Sequence, residues 1–139
     1  MRLKSLLVVA LLLGTSVVHA APRSPEAQIE ALMKSLQAKQ LDGVFQNFFA
    51  GTLTVQLKPT ELKAMDGQAK GALEFFGPPT SYEIVETKAL GNNLVRMKIL
   101  SKHRDEIPLF WNVLFYKRNA QWEPLSIFFF DDPQKAGFF

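Results

Sequence analysis

Leu94-Val95-Arg96-Met97-Lys98-Ile99-Leu100-Ser101-Lys102-His103 decides how this chain is read. Val95, Met97, Ile99, Ser101 and His103 fall on one side of a two-residue repeat, and Leu94, Arg96, Lys98, Leu100 and Lys102 on the other. Alternation of this kind belongs to a strand with one buried face. The next apolar run, Ile107 to Lys117, follows Arg104-Asp105-Glu106, a connection short enough for a hairpin. With those residues as the loop, Val95 stands opposite Phe115, Met97 opposite Val113, Ile99 opposite Trp111 and Ser101 opposite Leu109. A slip of one residue would set Met97 against Asn112 and bury Pro108 with Ser101, so the first register is expected.

Working outward, Tyr82 to Ala89 reads as a preceding strand and Trp122 to Asp131 as a following one. Turn residues Leu90-Gly91-Asn92-Asn93 and Arg118-Asn119-Ala120-Gln121 separate them from their neighbours. In the last strand Leu125, Ile127, Phe129 and Asp131 are placed inward. Trp122, Pro124, Ser126, Phe128, Phe130 and Asp132 are placed outward, a choice that a bulge near Pro124 would invert. The outer face then carries Phe110, Leu114, Phe128 and Phe130 beside Arg96 and Lys98. That is more apolar area than solvent usually meets, and it predicts a homodimer through this face.

Upstream the repeat lengthens. Ser24-Pro25-Glu26 is a helix start, with a hydroxyl cap, proline in the first turn and an acid there. Ile29, Leu32, Met33 and Leu36 form one stripe behind it. Val44, Phe45, Phe48 and Phe49 fit a second, shorter helix, and Thr52 to Leu57 alternates enough for a short strand. A third helix runs from Pro59 through Leu62, Met65, Ala69, Ala72, Leu73 and Phe76, weakened at Gly67 and Gly71 and stopped by Gly77-Pro78-Pro79. The fold class is therefore α+β, helices first and then a four-stranded antiparallel meander. Pro133 to Phe139 has no pattern.

The first twenty residues read as a signal peptide. Arg2 and Lys4 precede an apolar run, Leu6 to Leu13, too short to span a bilayer, and Val18-His19-Ala20 fits a cleavage site. Residues 21–139 then form a single domain, periplasmic or secreted and free of the membrane after cleavage. Arg2 and Lys4 leave with the signal, and 14 of the 16 basic residues remain against 13 acidic ones. No basic run interleaved with aromatics is present, so nucleic-acid binding is not expected. The chain has no cysteine, so packing rather than disulfides must hold the exported domain.

The helix closing in Phe75-Phe76-Gly77-Pro78, the strand Tyr82-Glu83-Ile84-Val85, the strand Leu94 to Ile99, and Trp111-Asn112-Val113-Leu114-Phe115-Tyr116-Lys117 followed by Trp122 resemble the NTF2-like superfamily, with its ketosteroid-isomerase-like and SnoaL-like groups. The resemblance spans about residues 25–132 and lies in architecture and strand pattern. It implies a cone of helices and curled sheet with a pocket at its open end, and frequent dimers through the sheet. Phe45, Phe48, Met97, Ile99, Trp111 and Phe129 would line that pocket and take a small apolar ligand or a protein partner.

The alternative is an isomerase- or dehydratase-type enzyme with Asp131 or His103 as base. A carboxylate in an apolar pocket, or a histidine oriented by a nearby acid, can move protons near neutral pH. Neither belongs to a recognisable catalytic motif, and adjacent Asp131 and Asp132 point to opposite sides of a strand. Tyr116 falls on the outer face, away from any such pocket. A single histidine after the signal and no cysteine leave no ordinary zinc site. Phosphate-cradling glycine loops and dinucleotide fingerprints are absent, so neither a metal nor a cofactor is expected.

Overall fold

The computed structural model describes residues 23–139; the signal-peptide reading lies outside them. Four helices, α1 (Pro25–Gln37), α2 (Val44–Phe48), α3 (Leu53–Leu57) and α4 (Pro59–Phe76), precede four strands, β1 (Ser81–Ala89), β2 (Leu94–Lys102), β3 (Pro108–Arg118) and β4 (Gln121–Phe130). The strands form one antiparallel sheet in chain order.

The central hairpin has the expected register: Val95 pairs with Phe115, Met97 with Val113, Ile99 with Trp111 and Ser101 with Leu109. Met97, Ile99, Ser101, Leu109, Trp111, Val113 and Phe115 are all buried. They face Ile29, Met33 and Leu36 of α1, Phe45 of α2, and Leu62, Ala69 and Leu73 of α4, which belong to the same apolar core. Arg104–Glu106 makes a tight 3-10 turn between the strands.

Three local expectations are corrected. Thr52–Leu57 is a helix rather than a strand. Its Thr52 hydroxyl caps Val55 N–H, and Thr54 Oγ1 donates to Leu125 O of β4 at 3.1 Å. The cap satisfies a backbone N–H that a strand would need a neighbour to satisfy, and the Thr54 bond ties the helix to β4. Helix α4 runs unbroken through Gly67 and Gly71, since one packed face outweighs about 1 kcal/mol of propensity at each glycine. In β4 the pairing jumps from Leu114–Ser126 to Phe115–Pro124, leaving Leu125 as a bulge. Ile127 and Phe129 keep the inward face, but below the bulge Pro124 and Trp122 turn inward and Leu125 does not. Proline has no N–H to lose from the ladder, which suits it to a bulged edge.

One buried acid holds two helices together. Gly43, at φ 67°, begins α2 without a side-chain cap of its own. Asp66 of α4 supplies the cap instead: its Oδ1 accepts from Phe45 N at 2.8 Å, while its Oδ2 is buried with no partner. Asp66→Ala is expected to destabilise the fold by about 1–2 kcal/mol, the usual range for a lost cap. Asp66→Asn, which keeps an acceptor oxygen, should lose less than half of that. Urea midpoints of the two variants check the order.

The segment after β4 folds back over the outer face of the sheet, which no pattern foretold. Asp132 Oδ1 accepts from Gln134 N at 2.9 Å and starts a series of turns. Ala136 is completely buried and Phe138 stands 5.1 Å from Phe110, ring to ring. The face expected to meet a second copy is thus partly closed by the chain itself. Phe128 and Phe130 beside it remain 42% and 39% exposed.

Candidate functional site

The six residues expected to line a pocket do not surround an open one. Phe45, Met97, Ile99 and Trp111 are completely buried and in contact within the core. Phe129 stacks on Trp111 at 4.4 Å. Only Phe48 reaches a concavity. Alternation reveals which side chains point inward, but not whether their volumes leave space. Here two rings and the helices fill the interior.

That concavity is an open groove of about 740 Å³ at one end of the sheet, within the range of small-molecule sites. Its walls are α1, the α1–α2 connection, α2, the stretch Ala50–Thr52 and the start of β4. The Leu125 bulge makes this site, because it turns Trp122 and Pro124 toward α1. Gln28 of α1 fixes the two sides: its Nε2 donates to Trp122 O at 2.9 Å. On the other side Thr52 Oγ1 donates to Phe49 O at 2.6 Å and holds the turn after α2. Leu32, Val44, Phe48, Trp122 and Pro124 supply apolar surface. Gln40, Asp42, Asn47 and Gln121 supply hydrogen-bonding groups around it. Glu123, also at the groove, is already engaged: Oε1 accepts from Arg118 Nε at 2.9 Å and from Leu53 N at 3.3 Å. Lys117 Nζ lies 5.6 Å from the centre of the Trp122 ring and braces it.

His103 is buried, on the inward side where alternation places it. Its Nδ1 is 2.7 Å from Gly77 O. A carbonyl can only accept, so Nδ1 carries the proton and Nε2 is the acceptor. Ser101 Oγ, 2.7 Å from Nε2, donates to it. The same oxygen accepts from Trp111 Nε1 at 2.8 Å. Gly77 can present its carbonyl this way because it ends α4 at φ 81°, a conformation glycine adopts without strain. Burial pushes the His103 pKa down; the Gly77 hydrogen bond opposes that shift but does not outweigh it. The result is a neutral imidazole with both nitrogens occupied, tying the end of α4 to β2 and β3.

Asp131 stands exposed past the end of β4 and Asp132 is spent on its turn. Both lie at the sheet end that also carries His103, but His103 is inside and Asp131 in solvent. Tyr82 packs partly against the core, and Tyr116 is on the outer face opposite Leu94. Among the described residues no three of His, Asp and Glu are grouped to hold a metal ion. Nor is any helix there long and apolar enough to cross a membrane.

No family model and no curated protein matches this chain. A solved structure does: a Campylobacter jejuni protein described as an NTF2-like transpeptidase. The two share 14% identity over 75% of this chain and 99% of the other, with a TM-score of 0.56. That likeness is one of architecture, and it agrees with the helix-then-meander order seen here: the chain has an NTF2-like α+β fold.

Proposed function

We propose that the chain is an exported binding domain whose groove between α1, α2 and the β3–β4 hairpin takes a small ligand with an apolar body and a polar end. The groove itself carries this reading. It is a concavity of ligand size, with Phe48 and Trp122 as apolar walls and the amides of Gln40, Asn47 and Gln121 at its rim beside Asp42, whose Oδ1 is paired with Lys70 Nζ at 2.9 Å. Proton transfer by His103 has less support, because a general base needs a free nitrogen within reach of a substrate. Both nitrogens of His103 are bonded inside the core. Asp131 stands exposed in solvent past the end of β4.

Ala31 is exposed on α1 and borders the groove, so Ala31→Trp should fill the space without disturbing the fold. An anilinonaphthalene sulfonate probe, an apolar body with an anionic end, is expected to bind the wild-type protein and to lose roughly tenfold in affinity, ~1.4 kcal/mol, in the variant. Native mass spectrometry of protein purified from its own compartment should show a bound small molecule that the variant lacks. Equal binding of both the probe and that molecule by the two proteins would move the site elsewhere.

A further inference from the structure

The folded-back segment after β4 occupies a built seat. Asn112, 8% exposed, donates from Nδ2 to Ala136 O at 3.1 Å. Lys98 Nζ donates to Phe138 O at 3.4 Å and lies 5.6 Å from the centre of the Phe138 ring. Phe110 meets that ring edge to face. The Ala136 methyl is completely enclosed. Gly137, at φ 71°, passes so close that a Cβ there would sit 3.3 Å from Asn112 Nδ2. Three successive positions are thus read separately: a small side chain, no side chain, and an aromatic ring.

We propose that the outer face of the sheet is a docking site for a peptide turn with a small residue, then glycine, then an aromatic, and that the chain's own Ala136-Gly137-Phe138 closes it until a partner segment of the same chemistry displaces it. The specificity follows from the groups named. Asn112 and Lys98 recognise two backbone carbonyls, which any peptide has. The tight approach at Gly137 and the ring seat between Phe110 and the Lys98 ammonium select the sequence. A tethered occupant has an effective concentration of about millimolar, so a free competitor meets a nearly closed site. Phe128 and Phe130, exposed next to the seat, offer an incoming segment apolar contact that residues 131–139 leave uncovered. The proposal is independent of the groove on the opposite side of the sheet.

The test uses the full chain and a fluorescein-labelled synthetic peptide of residues 131–139. Phe138→Ala removes the ring of the tethered occupant and leaves the seat intact. Gly137→Val unseats the occupant, because a β-branched residue is strained at φ 71° and its Cβ would also crowd Asn112 Nδ2. Both variants are expected to bind the peptide at least about tenfold more tightly than the wild-type chain, because the internal competitor is weakened. A peptide with alanine in place of the residue-138 phenylalanine should bind neither variant measurably. Circular dichroism confirms the fold of each protein. Equal affinity of wild type and both variants for the peptide would overturn the proposal. So would equal binding of the alanine peptide. Self-association of the variants without peptide binding would overturn it too, and would assign the face to a second copy of the chain.

Discussion

Trp111→Ala is expected to destabilise the protein by about 3–5 kcal/mol, the range for truncating a large buried aromatic. Trp111 lies at the middle of β3, paired with Ile99 on one side and Phe129 on the other. It is completely buried, its ring is stacked on Phe129, and its indole N–H serves Ser101. Truncation opens a large cavity where the sheet meets the helices. It also withdraws the donor from a buried hydroxyl. A domain of this kind has a total stability of only about 5–15 kcal/mol, so much of the fold's margin rests on this ring. Urea unfolding measures the loss. Trp111→Phe separates its two parts, since the ring volume mostly remains while the N–H is gone; about 1–2 kcal/mol is expected there. A loss below about 1.5 kcal/mol in Trp111→Ala would mean that the neighbours collapse into the space, contrary to the rigid packing assigned to this centre.

The sheet was legible because alternation and a short loop together leave one register that buries Met97, Ile99 and Trp111. The same reasoning placed Ile127 and Phe129 inward. It failed at Trp122 and Pro124, because an inserted residue reverses the phase of everything beyond it and alternation carries no mark of where the insertion falls. That failure matters for function, since the bulge at Leu125 turns Trp122 toward the groove. Thr52–Leu57 was ambiguous for a different reason: apolar residues two apart over six positions fit a strand, and the contact that favours the helix, Thr54 to Leu125 O, spans 71 residues. Alternation placed His103 on the inward face, but its bonding was hidden in the same way, since its partner Gly77 is 26 positions away. The pocket expectation rested on inward direction alone, and direction does not measure free volume. For the tail, Ala136 and Phe138 have no periodicity at all; what seats them is a set of partners on β2 and β3.

Ser101→Ala should have an effect far out of proportion to one oxygen atom. The hydroxyl is fully buried and stands between two groups that have no other partner in the core, the Trp111 N–H and the unprotonated Nε2 of His103. Each buried polar group left unsatisfied costs about 1–3 kcal/mol, so a loss of about 2–4 kcal/mol is expected by urea unfolding. A value near that of an ordinary exposed serine, within about 0.5 kcal/mol, would mean that water or a rearranged side chain satisfies both groups. The pH dependence of the intact protein reports the same network from the other side. Burial holds the folded pKa of His103 below its ordinary value, so the unfolded chain takes up the proton first. Stability is therefore full above about pH 6.5, the unfolded value, and declines as pH falls from there toward the folded pKa. The only other histidine in the sequence is His19, within the first twenty residues, so in a protein lacking that segment the decline that sets in below about pH 6.5, ahead of the ordinary carboxylate range, belongs mainly to His103. His103→Gln should flatten that part of the curve while lowering stability at neutral pH, because the amide cannot reproduce both ring bonds. Parallel curves for wild type and His103→Gln would show that His103 takes its proton as easily inside the fold as outside it, and would undo the assignment of a locked, neutral imidazole.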